Sequence, residues 1–387
     1  MVQRSDVIVA GLGGLGSSAA YQLARAGLKV TGLERFHRVH ARGASHGESR
    51  GVWQAYFMGP SYVPYVQRAV AMWEELSDEL GQTFFHRTGG ICLGSPEATL
   101  VPAALASAQS CGLTHEYLSA DDVRTRFPVF TPTDDEVAIY DPSAGYVRPE
   151  VVVGANLELA ERAGAQLRFE EQILDVTFLA DGVRVRTAQD TYEADRIVLS
   201  TGCWINDLIP ELELPITVLR KTMAWFDPSE GAENYLPGRM PYWIWERAGA
   251  VGYGHPAVDG STGGVKAGIH SGGEPTHPDQ IDGLVRADEL EVLRDFLKDA
   301  LPSLPGRLLR SRVCMYDNTP DMGFVIGEVP GNERAIIAAG TSGHAFKFVP
   351  AIGESITELV LGKTPTQDLS RFAPDRFAVA GQGGTTR

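Results

Sequence analysis

The order of hydrophobic and polar positions near the N-terminus predicts a strand, a helix and a second strand. Residues 6–11 form an apolar run that ends in glycine, and residues 29–34 form a second short run of strand character. Between them, residues 14–27 place apolar side chains at the spacing of a helix that buries one face. A β-α-β unit of this kind puts its two strands in a parallel sheet.

Further along the chain, helix-like and strand-like segments continue to residue 361. The spacing of apolar residues predicts four more helices, at 61–80, 149–164, 286–300 and 347–361. Short apolar or alternating runs predict strands at 172–177, 182–187, 196–200 and 334–339. Residues 216–270 alternate apolar and polar positions between glycine and proline breaks, which is typical of an antiparallel sheet.

Length, composition and charge narrow the function classes. The 387 residues are enough for two domains, and 43% of them are apolar. The net charge of −15 argues against nucleic-acid and anionic-membrane partners, because both favour positive patches. No apolar run approaches the roughly 20 residues of a membrane-spanning helix. The four cysteines are widely spaced without a metal-ligand pattern, and the first strand begins near residue 6, so we expect a reduced, cytoplasmic protein without a secretory signal.

The turn between the first strand and the first helix has the spacing of a dinucleotide-binding motif, Gly11-x-Gly13-x-x-Gly16. The first glycine permits a tight turn, the second lets the backbone approach a pyrophosphate, and the third lets the helix pack closely on the strand. Glu34 ends the second strand, where a carboxylate hydrogen-bonds a ribose hydroxyl and disfavours a 2′-phosphate.

We expect the nucleotide to be FAD rather than NAD. The chain has no second glycine fingerprint, and after Glu34 it leaves the β-α-β pattern until a late strand delivers Thr201 and Gly202. A nucleotide domain assembled from distant segments suits FAD.

The predicted fold is therefore α/β, with a discontinuous Rossmann-type FAD-binding domain and an interleaved α+β substrate domain built on an antiparallel sheet. The FAD-binding domain is expected at 1–82, 149–215 and 310–377. The substrate domain is expected at 83–148 and 216–309, and residues 378–387 are expected to be a disordered tail.

The polar run Ser45-His-Gly-Glu-Ser-Arg50 follows the second strand closely and can lie over the cofactor. Arg50 would then place a fixed cation beside the flavin ring and stabilise its anionic reduced form. A solvated loop arginine is the competing interpretation of the same residue.

In six segments the chain resembles the monomeric sarcosine oxidase and N-methyltryptophan oxidase family of flavoproteins. The segments run in order over nearly the whole chain: Asp6–Gly16, Ser45–Arg50, Tyr62–Pro64, Gly264–His270, Cys314–Asp321 and Ser342–Lys347. The cysteine segment and the Ser-Gly-His-x-Phe-Lys segment are highly specific in combination.

The resemblance implies catalytic roles for individual residues. Cys314 would bond the flavin 8α-methyl group through its sulfur, and Lys266 would be the cation beside which oxygen is activated. His270 and Tyr316 would line the catalytic cavity together with Arg50, although a buried structural role is equally open for the first two. Lys347 would pair with the substrate carboxylate.

The resemblance also implies the contacts with FAD. Besides Cys314, the residues expected to hold the cofactor are Gly11, Gly13, Gly14, Leu15, Gly16, Glu34, Arg35, Ser45, His46, Ser49, Arg50, Ile173, Thr201, Gly202, Trp204, Met315, Gly343, His344 and Lys347.

The chain departs from the family pattern on the substrate side. Family members that oxidise N-methyl amino acids carry a second arginine three positions after the first, and here that position is Trp53. A charge-assisted hydrogen bond contributes roughly 1.5–3 kcal/mol, so its loss weakens carboxylate binding by roughly 10- to 150-fold. We expect the substrate pocket to be formed by Trp53, Trp245, Tyr253 and His344, and simple sarcosine to be a poor substrate.

The expected function is FAD-dependent oxidation of the C–N bond of a secondary or N-methylated amine, giving an imine and hydrogen peroxide. One alternative is a tailoring oxidase that desaturates a cyclic amino acid or ring amine. Others are an amine dehydrogenase that passes electrons to a non-oxygen acceptor, and a flavin-binding protein whose catalysis has decayed. The expected partners are a small amine and molecular oxygen, and the protein is expected to be a monomer without a metal.

Overall fold

The computed structural model describes residues 3–381, in which strands and helices alternate along the chain. The strands are β1 (Gln3–Ala10), β2 (Val30–Leu33), β3 (Arg50–Val52), β4 (Phe85–Arg87), β5 (Gly90–Gly94), β6 (Glu116–Ser119), β7 (Val137–Asp141), β8 (Gly145–Val147), β9 (Gln166–Arg168), β10 (Ile173–Phe178), β11 (Val183–Thr187), β12 (Thr191–Leu199), β13 (Thr217–Asp227), β14 (Tyr242–Arg247), β15 (Ala250–His255), β16 (Val265–Ile269), β17 (Glu274–Pro275), β18 (Arg307–Asn318), β19 (Val325–Val329) and β20 (Asn332–Ala339). The helices are α1 (Gly14–Arg25), α2 (Val63–Leu80), α3 (Leu100–Ser110), α4 (Ala120–Arg126), α5 (Pro149–Arg162), α6 (Ile205–Leu208), α7 (Ala287–Ala300) and α8 (Val349–Val360).

The elements predicted from apolar spacing are present in the structure. The β1-α1-β2 unit forms as expected, and α2, α5, α7 and α8 lie where the four later helices were predicted. The predicted tail at 378–387 lies outside the described residues from 382 onward, and the described chain ends in a short 3₁₀ helix, Pro374–Gly381.

The first sheet has a parallel centre. Its strand order is β10-β11-β12-β1-β2-β9, with β20 also paired to β12 and β19 paired to β20. The pairs β20–β12, β12–β1, β1–β2 and β2–β9 are all parallel, whereas β10, β11 and β19 join in antiparallel pairs. Helix α1 packs against α5 and α8, and these helices share the largest hydrophobic core with β1 and β12.

The second sheet is almost wholly antiparallel. Its order is β17-β13-β16-β15-β14-β5-β7-β6, with β18 paired to β13, and only the β14–β5 pair is parallel. Helix α7 packs against β13, β15 and β16, where Leu293 and Leu297 join the buried core of this sheet. The two sheets confirm the predicted fold class.

The predicted domain boundary at residue 310 differs from the sheet pairing. Strand β18 pairs with β13 from Arg307 to Asn318, so it belongs to the second sheet. The chain joins the first sheet again only at β19. Since β18 carries Cys314 and Tyr316, the second sheet brings both residues to the surface that faces the first domain.

None of the helices in residues 3–381 is both long enough and apolar enough to cross a membrane.

Candidate active site

The glycine turn after β1 is built as its spacing predicts. Gly11 has a φ of +83°, and a methyl group on it would lie 2.7 Å from the Ser200 carbonyl oxygen at the end of β12. A methyl group on Gly16 would lie 1.8 Å from the Gly11 carbonyl oxygen, so only glycine lets α1 approach the strand this closely. A methyl group on Gly13 would contact Ser45 Oγ at 3.7 Å, an ordinary van der Waals distance, and Gly13 lines the cavity described below. The N-terminus of α1 is therefore exposed to an incoming anion.

Glu34 ends β2 as a buried carboxylate. Its Oε2 accepts a hydrogen bond from the Leu12 N–H at 2.8 Å, and its Oε1 accepts one from the Phe36 N–H at 3.0 Å. The Nε2 atom of His40 lies 3.3 Å from Oε1. Burial alone would raise the pKa of Glu34, but the hydrogen bonds and charge of His40 and the two backbone donors lower it overall. Glu34 is thus held as an anion.

A cavity of about 450 Å³ opens between the glycine turn and the ends of β2 and β12. Its wall is made from segments far apart in the sequence. Eleven of the residues predicted to contact the cofactor line it: Gly11, Gly13, Gly14, Leu15, Glu34, Arg35, Ser45, Ile173, Thr201, Gly202 and Trp204. Gly16 lies beneath the turn, and the other predicted contacts lie beyond this cavity.

Several buried polar atoms at this site lack a hydrogen-bond partner among the described residues. They include Thr201 Oγ1 and Asp317 Oδ2 on the cavity wall, Ser49 Oγ, and both ring nitrogens of His46. Burial, together with the charge of Arg50, lowers the pKa of His46 to about 3, so its ring is neutral. Buried polar atoms are normally satisfied, so this set fits a large polar ligand such as a dinucleotide.

The second domain also reaches this cavity, which the sequence did not indicate. Asp279 lies on a segment after β17, and its Oδ1 accepts hydrogen bonds from Arg35 Nη1 and Trp204 Nε1, both at 2.8 Å. The Arg35 guanidinium also stacks on the ring of Phe36, 5.2 Å from its centroid. These contacts join the two domains at the edge of the cavity that Glu34 lines.

A second, smaller cavity of about 70 Å³ lies between the first domain and the face of the second sheet opposite α7. It brings together residues predicted for catalysis, cofactor attachment and substrate binding. The predicted residues on its wall are Arg50, Trp53, Tyr253, His270, Cys314, Tyr316, Gly343, His344 and Lys347. Residues on this wall that the sequence analysis missed are Gly51, Tyr56, Phe57, Ile244, His255 and Phe346, and Tyr242 lines it as well.

Cys314 and Arg50 meet at the junction of the two cavities. The Arg50 Nη2 atom lies 3.6 Å from Cys314 Sγ and donates to the Ala44 carbonyl oxygen at 2.9 Å. Ala44 itself lines the larger cavity. Arg50 is therefore not a solvated loop residue, and its guanidinium lies beside the sulfur of Cys314. Met315 follows Cys314 in β18 and lines neither cavity.

Lys347 is a buried cation on the smaller cavity. Its Nζ donates to the His344 carbonyl oxygen at 2.8 Å and lies 4.6 Å from the centroid of the Tyr56 ring. Burial, with the charge of Arg50 as a second cause, lowers the pKa of Lys347 to about 7. His344 donates through Nε2 to the Met322 carbonyl oxygen at 2.8 Å, which leaves Nδ1 as a lone-pair acceptor.

His270 and Tyr316 face each other across the strand ends. The His270 Nδ1 atom is 3.3 Å from the Tyr316 hydroxyl oxygen. Burial, followed by the charges of Lys221 and Lys347, lowers the pKa of His270 to about 3, so the ring is neutral. The Tyr316 ring lies against Gly343, where a methyl group would be 2.4 Å from it. The glycine before His344 therefore makes room for this tyrosine.

Lys221, which the sequence analysis missed, supports this part of the site from below. Its Nζ donates to the carbonyl oxygens of His270, Ser271 and Gly272, each at 2.9 Å, and lies 5.0 Å from the Tyr316 ring centroid. No motif marked this residue, because its role depends on the segment that joins β16 to β17, two strands that both pair with β13.

Lys266 lies behind the polar turn instead of on either cavity wall. Its Nζ donates to the carbonyl oxygens of Gly47 at 2.8 Å and Ser49 at 2.7 Å, and it is 5.6 Å from the Trp225 ring centroid. Burial and the neighbouring Arg50 charge hold its pKa well below the usual range. These two hydrogen bonds therefore hold the turn that carries Arg50 in place.

The expectation that Trp245 lines the substrate pocket is wrong. Side chains of β14 alternate, so Tyr242 and Ile244 face the smaller cavity while Trp243 and Trp245 face the core under α7. Trp245 is fully buried there, and its Nε1 donates to Glu136 at 2.8 Å.

Trp53 does lie on the cavity wall. Its indole ring packs against Gly90, where a methyl group would be 2.4 Å from the ring, and its Nε1 donates to the Ala55 carbonyl oxygen. The Tyr242 ring lies edge-on to it at 6.4 Å. Trp53, Tyr242, Phe57 and Ile244 thus form an apolar wall beside the two cations Arg50 and Lys347.

Comparisons with known proteins agree with this arrangement. Residues 6–359 match the family model described as DAO, FAD dependent oxidoreductase. Monomeric sarcosine oxidase of Streptomyces avermitilis is 42% identical over 377 residues, which are 97% of this chain and 98% of that protein. N-methyl-L-tryptophan oxidase of Salmonella newport is 34% identical over 381 residues, covering 96% and 99%.

Among solved structures, NikD superimposes with a TM-score of 0.85 at 25% identity, covering 96% of this chain and 98% of that one. NikD is described as an unusual amino acid oxidase essential for nikkomycin biosynthesis. L-proline dehydrogenase from P. horikoshii superimposes with a TM-score of 0.84 at 23% identity, which shows a shared fold.

Proposed function

Since this chain belongs to the FAD-dependent oxidoreductase family and is a flavin-dependent amine oxidase, we propose that its substrate is a secondary or N-methylated amino acid. The observation that carries the proposal is the smaller cavity, where two cations, Arg50 and Lys347, share a wall with Cys314 and an apolar surface. Two cations beside one apolar wall suit a carboxylate that is attached to an uncharged or apolar group.

The residues present fit FAD in two places. The glycine turn, Glu34 and the end of β12 would hold the adenosine diphosphate part, and Cys314 would hold the flavin covalently beside Arg50. When bound, FAD supplies the two-electron oxidation of the C–N bond. Lys347 and Arg50 would orient the substrate by its carboxylate, while the neutral ring of His270 and the hydroxyl of Tyr316 would hold the amine end without adding charge. The surrounding aromatic side chains would exclude water.

The proposed electron acceptor is molecular oxygen, with hydrogen peroxide as product. Support for this comes from the similarity to oxidases over nearly the full chain. The test is an aerobic assay that compares peroxide formed with amine consumed. Equal amounts are expected. Consumption of amine only after addition of a quinone or dye acceptor would contradict the proposal and favour a dehydrogenase.

The substrate is proposed to be larger than sarcosine, because the second arginine of the clamp is replaced by the apolar wall at Trp53. A panel of sarcosine, N-methyl-L-tryptophan, pipecolate, proline and amines without a carboxylate tests this. We expect N-methyl-L-tryptophan or a ring amino acid to give a higher kcat/KM than sarcosine. A clear preference for sarcosine would contradict the role given to Trp53.

A second candidate is a tailoring oxidase that desaturates a cyclic amino acid or ring amine. The observation that favours it is the aromatic wall formed by Trp53 and the edge-on ring of Tyr242, together with the superposition on NikD. Product analysis in the same panel separates the two. A higher kcat/KM for N-methyl-L-tryptophan, with formaldehyde and a primary amine as products, indicates N-demethylation, whereas a higher kcat/KM for pipecolate or proline, with a cyclic imine as product, indicates a ring-desaturating enzyme.

A further inference from the structure

His255 is a buried imidazole on the wall of the smaller cavity that has no role in the proposed chemistry. Its side chain is 1% exposed, and its Nδ1 has no hydrogen-bond partner among the residues the structure describes. In the β15–β16 register it lies directly across from Lys266, on the same sheet face as Tyr253. The ring therefore belongs to the cavity face of the second sheet and not to the core under α7.

The electrostatic surroundings of His255 keep its ring uncharged. Burial, and then the charges of Lys266 and Arg50, hold its pKa well below the usual range. A neutral imidazole carries one N–H donor and one lone-pair acceptor. It therefore recognises an uncharged polar group, such as a hydroxyl or amide, and would not recognise a second carboxylate in the way Arg50 and Lys347 do.

His255 lies beside two tyrosine rings on the wall of the smaller cavity. The Tyr242 ring lies 4.9 Å from it, and the Tyr253 ring lies edge-on at 6.2 Å. A methyl group on Gly51 would lie 2.4 Å from the Tyr242 ring, so the backbone of the Arg50 strand holds Tyr242 in place. The imidazole is thus a polar group held in place among aromatic side chains.

We propose that His255 is a specificity-determining residue, which hydrogen-bonds an uncharged polar group on the side chain of the amine substrate. A buried polar atom without a protein partner is normally satisfied by a ligand or a water molecule. This inference rests on the proposed function, because Arg50 and Lys347 are taken to bind the substrate carboxylate in the same cavity. It adds that the side chain of the preferred substrate carries a hydroxyl or amide next to a flat or apolar part.

The test uses the holoenzyme and two matched pairs of substrates that differ by one polar group. They are N-methyl-L-tyrosine with N-methyl-L-phenylalanine, and N-methyl-L-threonine with N-methyl-L-valine. For at least one pair we expect the hydroxylated member to be preferred about tenfold or more in kcat/KM, mainly through KM, because the contact is remote from the reacting bond. No preference in either pair would mean that a water molecule alone satisfies His255, and would overturn the proposal.

Two variants assign the preference to His255. His255→Phe keeps a planar ring without polar atoms, so the ratio within the pair is expected to fall to about one. His255→Asn keeps a donor and an acceptor, so part of the preference is expected to remain. An unchanged ratio in His255→Phe would overturn the proposal. If that variant does not bind FAD, His255→Leu, which also lacks polar side-chain atoms, takes its place, and an unchanged ratio there would overturn the proposal.

A binding measurement separates failure of this inference from failure of the proposed function. The dissociation constant of each pair member is measured anaerobically from the tryptophan fluorescence of the holoenzyme. A preference for the hydroxylated member without any oxidation would support His255 and contradict the proposed reaction. Oxidation of both members with equal dissociation constants would support the reaction and contradict the role of His255.

Discussion

At the residue scale, the proposed covalent bond between Cys314 and the flavin can be tested directly. Its sulfur lies 3.6 Å from the Arg50 guanidinium, and we propose that it bonds the flavin. Wild-type protein precipitated with acid should therefore stay yellow, whereas Cys314→Ser should release all of its flavin into the supernatant. Absorbance of the two fractions at the flavin maximum measures this.

Cys111 provides a matched control for Cys314. It is a free cysteine at the end of α3, away from both cavities. Cys111→Ser should retain its flavin in the pellet like the wild type. Flavin in the pellet of Cys314→Ser, or in the supernatant of the wild type, would contradict covalent attachment through Cys314.

Lys347 gives a prediction about pH. Its pKa is lowered to about 7, so in the free enzyme it loses its charge as the pH rises through that value. The affinity for a carboxylate without an amine, such as propionate, should therefore fall above about pH 7. Removing the charge in Lys347→Met should weaken binding by roughly 10- to 150-fold at pH 6, from about 1.5–3 kcal/mol per charge-assisted hydrogen bond.

Lys347→Arg is the control for this effect, because arginine stays charged throughout the range. It should bind propionate with little dependence on pH between 6 and 9. The dissociation constant is followed through the change in flavin absorbance. A pH dependence in Lys347→Met equal to that of the wild type would show that another group is responsible.

At the scale of the element, the sequence identified residues whose positions follow from local spacing, but not residues whose positions depend on how a strand packs. Gly11, Gly13, Gly16 and Glu34 were found because their spacing alone defines the turn. Trp245 was misplaced because β14 has aromatic residues on both of its faces. Alternation along a strand shows which residues share a face, but it does not show which face lines the cavity and which packs against α7. The alternation does show that Ile244 faces the opposite side of the sheet from Trp243 and Trp245, so the two tryptophans had to share one environment.

The two faces of the second sheet predict different effects for two tryptophans. Trp245→Phe removes the hydrogen bond to the buried Glu136 and should lower the free energy of unfolding by about 1–3 kcal/mol. It should leave the ratio of kcat/KM for N-methyl-L-tryptophan and sarcosine unchanged. Trp53→Phe should change that ratio by roughly tenfold, because it reshapes the cavity wall. Thermal unfolding and steady-state kinetics check both, and a changed ratio in Trp245→Phe would contradict the assigned faces.

At the scale of the whole molecule, the site is assembled from both domains, and this limited what the sequence could show. The parallel unit at the N-terminus and the antiparallel character of 216–270 were evident from periodicity. The membership of β18 in the second sheet was not, since a single strand carries no sign of its partner. Asp279, His255 and Lys221 were missed for the same reason: each acts through a contact with a segment distant in the sequence.

The contact between Asp279 and the first domain leads to a prediction about cofactor retention. Asp279 accepts hydrogen bonds from Arg35 and Trp204, which line the larger cavity. Its side chain is 45% exposed, so the contribution of each contact is limited to about 1 kcal/mol or less. In a Cys314→Ser background, where FAD binds without a covalent bond, Asp279→Asn should raise the dissociation constant of FAD about threefold to fivefold.

Asp282→Asn is the matched control, because Asp282 lies on the same segment but pairs with Arg220 at 3.6 Å and lines neither cavity. Equal effects of the two variants on FAD binding, measured by flavin fluorescence, would mean that the second domain does not hold the cofactor through Asp279.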